Sequence, residues 1–264
     1  MTTKLIGVPE TLLIALWARA AETQEPRGII DDRPAVRLMQ RIDYDFTRFG
    51  NAKLTKVGIG VRTLLLDAAT KKFLDANPKA IVVNMGAGLD TRQERLQHKN
   101  RTWYDIDLPE SIELRRKFYP ENKTHRLIAR SIFDYAWINE IPLTNPILFI
   151  AEGLLMYFEQ DRVRELFAKL AEHFPGAELL IETGAPLMVG NSKKHETVRK
   201  IDSSAEFKWG VKAAKELCEL HPKIELLNDW DYFDFNRKRW GLFWIVSKIP
   251  FLHISNRIVH LCLR

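Results

Sequence analysis

Hydrophobic positions divide the chain into a helical first part and a longer second part in which strands and helices alternate. In two early stretches, residues 10–21 and about 57–76, apolar side chains recur every three or four positions, which is typical of helices with one buried face. Asp31 to Pro34 is a helix-start signal, and Asn77-Pro78 ends the second helix. We therefore expect residues 1–78 to form an N-terminal helical cap region.

Residues 79–264 have the pattern of an α/β unit. Five short apolar runs are rich in branched residues: Ala80–Asn84, Thr102–Ile106, Arg126–Ala129, Pro146–Ala151 and Glu178–Ile181. Between the last two lies a helical pattern, Gln160–Phe174. Strands separated by helix-length segments favour a mostly parallel sheet, because parallel neighbours need a crossover connection. Ile224–Leu227 and Leu242–Val246 are expected to add late strands at the edge. The prediction is one compact α/β domain under a helical cap.

Composition sets limits on cofactors and location. Hydrophobic residues make up 46% and charged residues 28% of the 264 positions, as in ordinary globular proteins. Cys218 and Cys262 are far apart, which argues against a zinc site and a disulfide scaffold, so we expect no metal. The early apolar run is broken by Arg19 and Glu22, and the late run Gly241–Val246 is too short to span a bilayer. We expect a cytoplasmic protein without a membrane partner.

The net charge is +6, from 40 basic and 34 acidic side chains. The basic residues are scattered, and no nucleic-acid-binding motif of a named class occurs, so we expect no nucleic-acid partner. A positive field weakly favours a small acidic substrate. The sequence predicts no oligomeric state.

The first strand leads into a glycine-rich turn, Gly86-Ala87-Gly88. Such a turn lets the backbone approach a nucleoside or an amino-acid moiety, since a side chain at either glycine would fill that space. The dinucleotide fingerprint has a third glycine where this chain has Thr91. The turn therefore favours a nucleoside ligand over NAD, and an NAD-dependent oxidoreductase is the weaker alternative.

Two strands end in acids. Asp107 closes the second strand, 21 residues after Gly86, where a carboxylate can accept hydrogen bonds from ribose hydroxyls. Asp105 has the same strand parity, so we expect only one of the two acids to face the ribose, and we favour Asp107. The alternative role is capping of a helix that begins at Pro109. Glu152 follows the fourth strand, and a carboxylate at that depth needs a cationic ligand or an internal arginine as partner. Both alternatives stay open for Glu152.

Three segments together resemble the leucine carboxyl methyltransferase family: Val83–Arg92, Trp103–Pro109 and Ala151–Tyr157. Within it they are most similar to the bacterial polyketide O-methyltransferases of the tetracenomycin-pathway type. Three further segments agree, so that the resemblance covers nearly the whole chain: Glu10–Arg19, Val61–Thr63 and Phe207–Gly210. The resemblance implies a class I methyltransferase fold, which is Rossmann-like, with N-terminal helices over the cleft and S-adenosylmethionine as cofactor.

The resemblance also implies cofactor-binding roles by position. The turn glycines Gly86 and Gly88 would pack against S-adenosylmethionine, Asp107 would bind its ribose, Ser131 and Ile132 would contact its adenine, Arg62 its methionine carboxylate, and Glu152 its methionine amine. Ser131 departs from the protein-phosphatase-modifying relatives, which tend to have an acid there.

These roles predict an O-methyltransferase. A carboxylate acceptor is ionised at pH 7 and is its own nucleophile, so methyl transfer to it needs alignment and desolvation but no general base. No histidine-centred catalytic group stands out in the sequence, which is consistent with an acceptor that needs no general base. We therefore expect methyl-ester formation on a small, polyketide-like acid, with Arg19 or Arg92 holding its carboxylate. Aromatic contact area is expected from Trp17, Phe207, Trp209 and Tyr232.

Two alternatives complete the hypotheses. A phenol or hydroxyl O-methyltransferase would need a base, for which His195 and Tyr157 are the candidates. A non-enzymatic nucleoside- or RNA-binding protein would bind the cofactor without turnover. In either enzyme, the helix over residues 10–21 is expected to act as a lid that expels water from the site.

Overall fold

The computed structural model describes residues 11–97, 101–191, 196–200, 206–246 and 256–264. The helices are α1 (Thr11–Gln24), α2 (Arg33–Met39), α3 (Lys53–Ala76), α4 (Arg92–Arg95), α5 (Pro109–Arg116), α6 (Gln160–His173), α7 (Arg237–Trp240) and α8 (Phe243–Val246). The strands are β1 (Ile81–Met85), β2 (Thr102–Asp107), β3 (His125–Ala129), β4 (Ile147–Ala151), β5 (Glu178–Gly184), β6 (Ile224–Asp231) and β7 (Asn256–Leu263).

The strands form one seven-stranded sheet in the order β3-β2-β1-β4-β5-β7-β6. The first five run parallel, and β7 lies antiparallel between β5 and β6. The predicted mostly parallel α/β fold is confirmed. The strand order reverses direction between β1 and β4, and open sheets bind ligands in the crevice at such a switch point.

Helices cover both faces of the sheet because successive strand residues point to opposite sides. Val83 and Met85 of β1 pack in one buried cluster with Leu166 of α6. Val82 packs in a second cluster, on the other face, with Val61 and Leu65 of α3. The sheet is therefore buried on both sides, which explains the continuous apolar runs in its parallel strands.

The early helices extend over the loop that follows β1. Leu16 of α1, Leu38 of α2 and Phe49 share a cluster with Leu89 of that loop. Asp32 accepts a hydrogen bond from Ala35 N (3.0 Å) and caps α2, as the helix-start signal predicts. The division into a cap of residues 1–78 and a domain of residues 79–264 stays a prediction, since α3 itself packs on the sheet.

One strand prediction is wrong. Residues 243–246, inside the expected strand Leu242–Val246, form the short helix α8, and the second late strand is β7, Asn256–Leu263. A short apolar run does not distinguish a strand from a helix by its periodicity. Ile224 does begin β6, as expected. Within the described ranges, no helix is both long and apolar enough to cross a membrane.

Candidate active site

A cavity of about 810 Å³ lies over the carboxyl ends of β1, β2, β4 and β5, at the switch point of the sheet. Residues of α1, α3, the described part of the segment between β5 and β6, and the segment after β6 also contribute to its wall. Its lining includes all of the residues that the sequence predicts to bind a cofactor: Arg62, Gly86, Gly88, Asp107, Ser131, Ile132 and Glu152.

The glycine turn after β1 depends on both of its glycines. Gly86 has φ 65° and Gly88 φ 45°, in the left-handed region that side chains disfavour. A Cβ atom at Gly86 would lie 2.7 Å from Leu154 Cδ1, and one at Gly88 would lie 3.2 Å from Leu12 Cβ. Backbone conformation and close packing therefore both require glycine at these positions.

Asp107 is the strand-end acid that lines the cavity. Its Oδ2 accepts from Gly88 N and its Oδ1 from Leu108 N, both at 2.7 Å, so the side chain joins β2 to the glycine turn. Burial raises the pKa of Asp107, and these two backbone N–H groups offset part of that rise. The helix after β2 begins at Pro109, and its N-terminus has no side-chain cap. Asp107 lies one residue before the N-cap position, Leu108, and accepts from its backbone N–H, so the ribose role and the capping role of Asp107 both stay predictions.

Asp105, two residues earlier, is buried and binds side chains in the protein interior. Its Oδ2 accepts from Arg115 Nε at 2.7 Å and contacts His125 Nε2. Arg115 also donates to the carbonyl oxygens of Gly88 (3.1 Å) and Asp90 (2.8 Å). Asp105 thus holds the arginine that supports the turn, and Asp107 is the acid beside the cavity.

Glu152 lies between two arginines. Its Oε1 is 2.7 Å from Arg62 Nη2, and its Oε2 is 2.6 Å from Arg92 Nη2. Burial alone raises the pKa of Glu152, but the two guanidinium groups outweigh it and lower the pKa to about 2. The alternative of an ion pair with internal arginines therefore describes the contacts of Glu152.

Glu182, near the end of β5, is a site residue that the sequence analysis missed. Its Oε2 accepts from Arg62 Nη1 (2.9 Å) and Gly153 N (2.8 Å), and its Oε1 accepts from the Tyr232 hydroxyl (2.8 Å). The signal was present, because an acid follows the apolar run Leu179–Ile181, just as Glu152 follows β4. The expected strand ended at Ile181, one residue too early to include Glu182.

Arg62 therefore links the ends of β4 and β5. Its burial lowers its pKa, but Glu152 and Glu182 more than compensate and raise the pKa above its ordinary value. Within the described part of the chain, Arg62 Nε is buried without a hydrogen-bond acceptor. Each Nη atom contacts one carboxylate and has a second N–H, and Nε is the guanidinium nitrogen that has no acceptor among the described residues.

The two arginines considered for the acceptor are both buried, and of the two only Arg19 lines the cavity. Arg92 is fully buried and pairs with Asp67 (2.9 Å), Asp90 (2.5 Å) and Glu152 (2.6 Å). The expectation that Arg92 could hold an acceptor carboxylate is wrong, because each guanidinium nitrogen already donates to a protein carboxylate. Arg19 does line the cavity, and it donates to Asp32 (2.9 Å) and to the carbonyl of Leu89 (2.8 Å).

Three of the four aromatic candidates line the cavity: Phe207, Trp209 and Tyr232. Trp17 is not part of the lining and packs against Phe49, with ring centroids 5.3 Å apart. Tyr157 lines the cavity, and burial raises its pKa to about 12, so it stays protonated at neutral pH. Glu10 and His195 lie outside the described residues.

Acids outnumber bases around the cavity. The described lining contains the carboxylates Asp90, Asp107, Glu152, Glu182 and Glu196 and the guanidinium groups Arg19, Arg62 and Arg130. Such a surface favours a ligand that carries positive charge. Over the residues that the structure describes, no group of three or more His, Cys, Asp or Glu side chains could hold a metal ion.

Known proteins share both the sequence and the fold. The family model described as leucine carboxyl methyltransferase matches residues 12–171. The tetracenomycin polyketide synthesis O-methyltransferase TcmP of Streptomyces glaucescens is 32% identical over 234 residues, 88% of this chain and 86% of that protein. The S-adenosyl-L-methionine-dependent methyltransferase dpfgK of Gibberella zeae is 32% identical over 186 residues, 64% of this chain and 62% of its own length.

Solved structures with low sequence identity share the architecture. A DUF574 family protein from Streptomyces avermitilis superposes with a TM-score of 0.58 at 12% identity, covering 94% of this chain and 97% of its own. The magnesium protoporphyrin IX methyltransferase ChlM of Synechocystis PCC 6803, solved with bound SAH, superposes with a TM-score of 0.50 at 10% identity, covering 87% and 92%. At such identities the likeness shows the fold alone, and it confirms the class I methyltransferase fold.

The family model spans more than half of the chain, and the match to TcmP extends over most of both proteins. The predicted resemblance is confirmed, and the chain belongs to the leucine carboxyl methyltransferase family.

Proposed function

We propose that this chain is an S-adenosylmethionine-dependent O-methyltransferase that converts a carboxylate of a small, largely apolar organic acid into its methyl ester. The choice of acceptor rests on one observation: the ionisable groups near Gly153 already have hydrogen-bond partners within the protein or stay protonated at neutral pH. Glu152 and Glu182 accept hydrogen bonds through both of their oxygens, and Tyr157 has a pKa of about 12. An ionised carboxylate acceptor needs no proton acceptor, so this environment suits it.

The residues of the cavity fit S-adenosylmethionine. Its sulfonium and ammonium charges match a lining in which carboxylates outnumber guanidinium groups. The ribose hydroxyls would bind Asp107, the adenine would lie against Ser131 and Ile132, and the turn of Gly86 and Gly88 would pack against the nucleoside. Glu152 would face the ammonium group, and Arg62, which lines the cavity, would donate to the methionine carboxylate. When bound, the cofactor supplies the electrophilic methyl group.

The chain itself contributes alignment and exclusion of water. Apolar side chains dominate the wall on the side of α1 and the glycine turn: Leu12, Ile14, Ala15, Leu89, Leu154 and Met156. An apolar wall excludes water, and electrostatic interactions inside the cavity are stronger without it. Reactants that are already aligned by binding also lose little further entropy when they react. We propose that α1, as part of the N-terminal cap, acts as the lid of the site.

The relatives support the substrate class. TcmP is named for polyketide synthesis and for O-methylation. A polyketide-like acid combines an apolar ring system with a carboxylate, and its ring system matches the apolar part of the cavity wall. Arg19, the remaining arginine candidate for the acceptor carboxylate, lines the same cavity.

The test uses the chemistry of the product. The protein is incubated with methyl-labelled S-adenosylmethionine and a panel of aromatic and aliphatic acids and phenols, and labelled products are treated with mild alkali. We expect the label to be released as volatile methanol, because esters hydrolyse under conditions that leave aryl methyl ethers intact. Retention of the label through alkali would identify a hydroxyl acceptor and reject the ester proposal.

The phenol or hydroxyl acceptor is the second candidate, and one observation favours it. Glu196 lines the cavity, and His195, a candidate base, precedes it directly in the chain. His195→Ala separates the two functions. A hydroxyl methyltransferase that depends on this base would lose about 10²–10⁴-fold in turnover, whereas ester formation would continue.

A further inference from the structure

The cavity is longer than the cofactor end alone. One end lies at Asp107, the last residue of β2, and at Ser131 after β3, and the other lies at Phe233 and Phe243, after β6. Between these ends the lining passes Glu152 after β4 and Glu182 of β5, and the whole cavity has a volume of about 810 Å³. Two ligands can therefore lie in this one cavity.

The far end has an apolar and aromatic wall, which we call the aromatic arm. Its apolar lining comes from Leu54, Gly58 and Ile59 of α3 and from Phe233, Trp240 and Phe243 of the segment after β6, and Thr55 of α3, hydrogen-bonded to Glu196 at 3.2 Å, is a polar lining residue beside them. Phe233 and Trp240 pack together with ring centroids 4.5 Å apart and planes tilted by 51°. Such a wall offers flat apolar area to a ring system.

Gly58 controls the space inside the aromatic arm. Its φ is not positive, so the helical backbone does not require glycine, and alanine is the better helix former. A Cβ atom at Gly58 would meet, among the described residues, Trp240 Cη2 at 3.7 Å and nothing nearer. Two residues later, a Cβ atom at Gly60 would lie 3.1 Å from Glu22 Cγ. Close packing thus explains Gly60, whereas a side chain at Gly58 would extend into the cavity.

We infer that the aromatic arm binds the body of the methyl acceptor, a flat apolar group of more than one ring, and that Gly58 is a specificity-determining residue that keeps the arm wide enough. The inference rests on the proposed function, which assigns the opposite end of the cavity to the cofactor. The Tyr232 hydroxyl, held by Glu182 at 2.8 Å, lies at the inner end of the arm, beside Arg62 and Gly153. The acceptor's reacting group would therefore point towards the centre of the cavity.

The experiment uses anthracene-2-carboxylate, a fluorescent three-ring acid, as the probe. It is titrated into the full-length protein saturated with S-adenosylhomocysteine. Gly58→Leu is expected to raise the dissociation constant of the probe by about tenfold or more, because the new side chain occupies the arm. Gly58→Ala adds one methyl group at ordinary contact distance and is expected to have a smaller effect. Ala68→Leu places a leucine side chain on the exposed side of α3 and is the matched control.

Two further measurements test whether the cofactor end is intact and whether a second residue of the aromatic arm contributes to probe binding. Calorimetric titration with S-adenosylhomocysteine should give the same affinity for the parent, Gly58→Leu and Ala68→Leu, which shows that the cofactor end is intact. Phe243→Ala, at a side chain that is 49% exposed, removes one wall of the arm without disturbing the core and should also weaken probe binding.

The inference is overturned if the probe binds Gly58→Leu as tightly as the parent, if it fails to bind the parent, or if it competes with S-adenosylhomocysteine. The proposed function fails by a separate result, namely a methylated product that resists alkali. That result does not depend on Gly58, so the two failures are distinguishable.

Discussion

Arg62 of α3 and Glu152 after β4 form a buried ion pair, with 2.7 Å between Arg62 Nη2 and Glu152 Oε1. The same guanidinium binds Glu182 of β5 at 2.9 Å. Arg62 therefore connects a helix to the ends of two neighbouring strands, and its removal would affect stability as well as ligand binding.

Arg62→Ala should lower the free energy of unfolding by about 3–5 kcal/mol, because it leaves buried carboxylates without their counter-charge. In a chain of this size the melting temperature should fall by about 10 °C. Differential scanning calorimetry measures both quantities. Arg164→Ala, at an exposed position on α6, is the control and should change stability by less than about 0.5 kcal/mol. An unchanged melting temperature for Arg62→Ala would contradict the role assigned to the pair.

Asp107→Asn should weaken binding of S-adenosylhomocysteine roughly ten- to hundred-fold, since it removes the charge and one acceptor oxygen of the proposed ribose ligand. Isothermal titration calorimetry gives the affinity, and circular dichroism checks the fold. Glu110→Gln neutralises an exposed acid three residues later and should leave the affinity unchanged. Equal affinities for Asp107→Asn and the parent would remove Asp107 from the cofactor site.

Acid should destabilise the protein through Glu152. Its pKa is about 2 in the folded chain and 4.5 when unperturbed, so the unfolded state binds the proton first as the pH falls. The stabilisation is complete above pH 4.5 and is lost as the pH falls towards 2, a change on the order of 3 kcal/mol. Urea denaturation at pH 6, 4 and 3 measures it. Glu152→Gln should reduce the loss between pH 6 and 3, and an identical loss in this variant would assign the acid sensitivity to other groups.

Tyr157 should not act as a general base. Its pKa of about 12 keeps it protonated, so turnover on a carboxylate acceptor should show no rise between pH 7 and 10 that depends on this residue. Tyr157→Phe should lose far less than the 10²–10⁴-fold that removal of a base costs. The pH–rate profiles of both proteins, measured with the acid that the screen identifies, provide the comparison. A kinetic pKa below 10 that disappears in Tyr157→Phe would refute this.

Local patterns in the sequence were enough to predict the α/β class, the five parallel strands and the turn at Gly86 and Gly88. Such features depend on side-chain periodicity and backbone conformation within a few residues, and both can be read along the chain. Asp107 was predicted to line the site because the end of a parallel strand always lies at the carboxyl edge of its sheet. The run Leu242–Val246 was assigned wrongly, since its periodicity is the same for a short strand and a short helix.

Only the tertiary structure decided which charged groups remain available in the cavity. Every guanidinium nitrogen of Arg92 donates to a protein carboxylate, from Asp67, Asp90 or Glu152. Arg62 binds both Glu152 and Glu182, and Glu182 lies 120 positions after Arg62 in the chain. The open space at Gly58 depends in the same way on Trp240, which lies on a distant segment. Ion pairing and cavity shape depend on contacts between residues far apart in sequence, and no periodicity along the chain records those contacts.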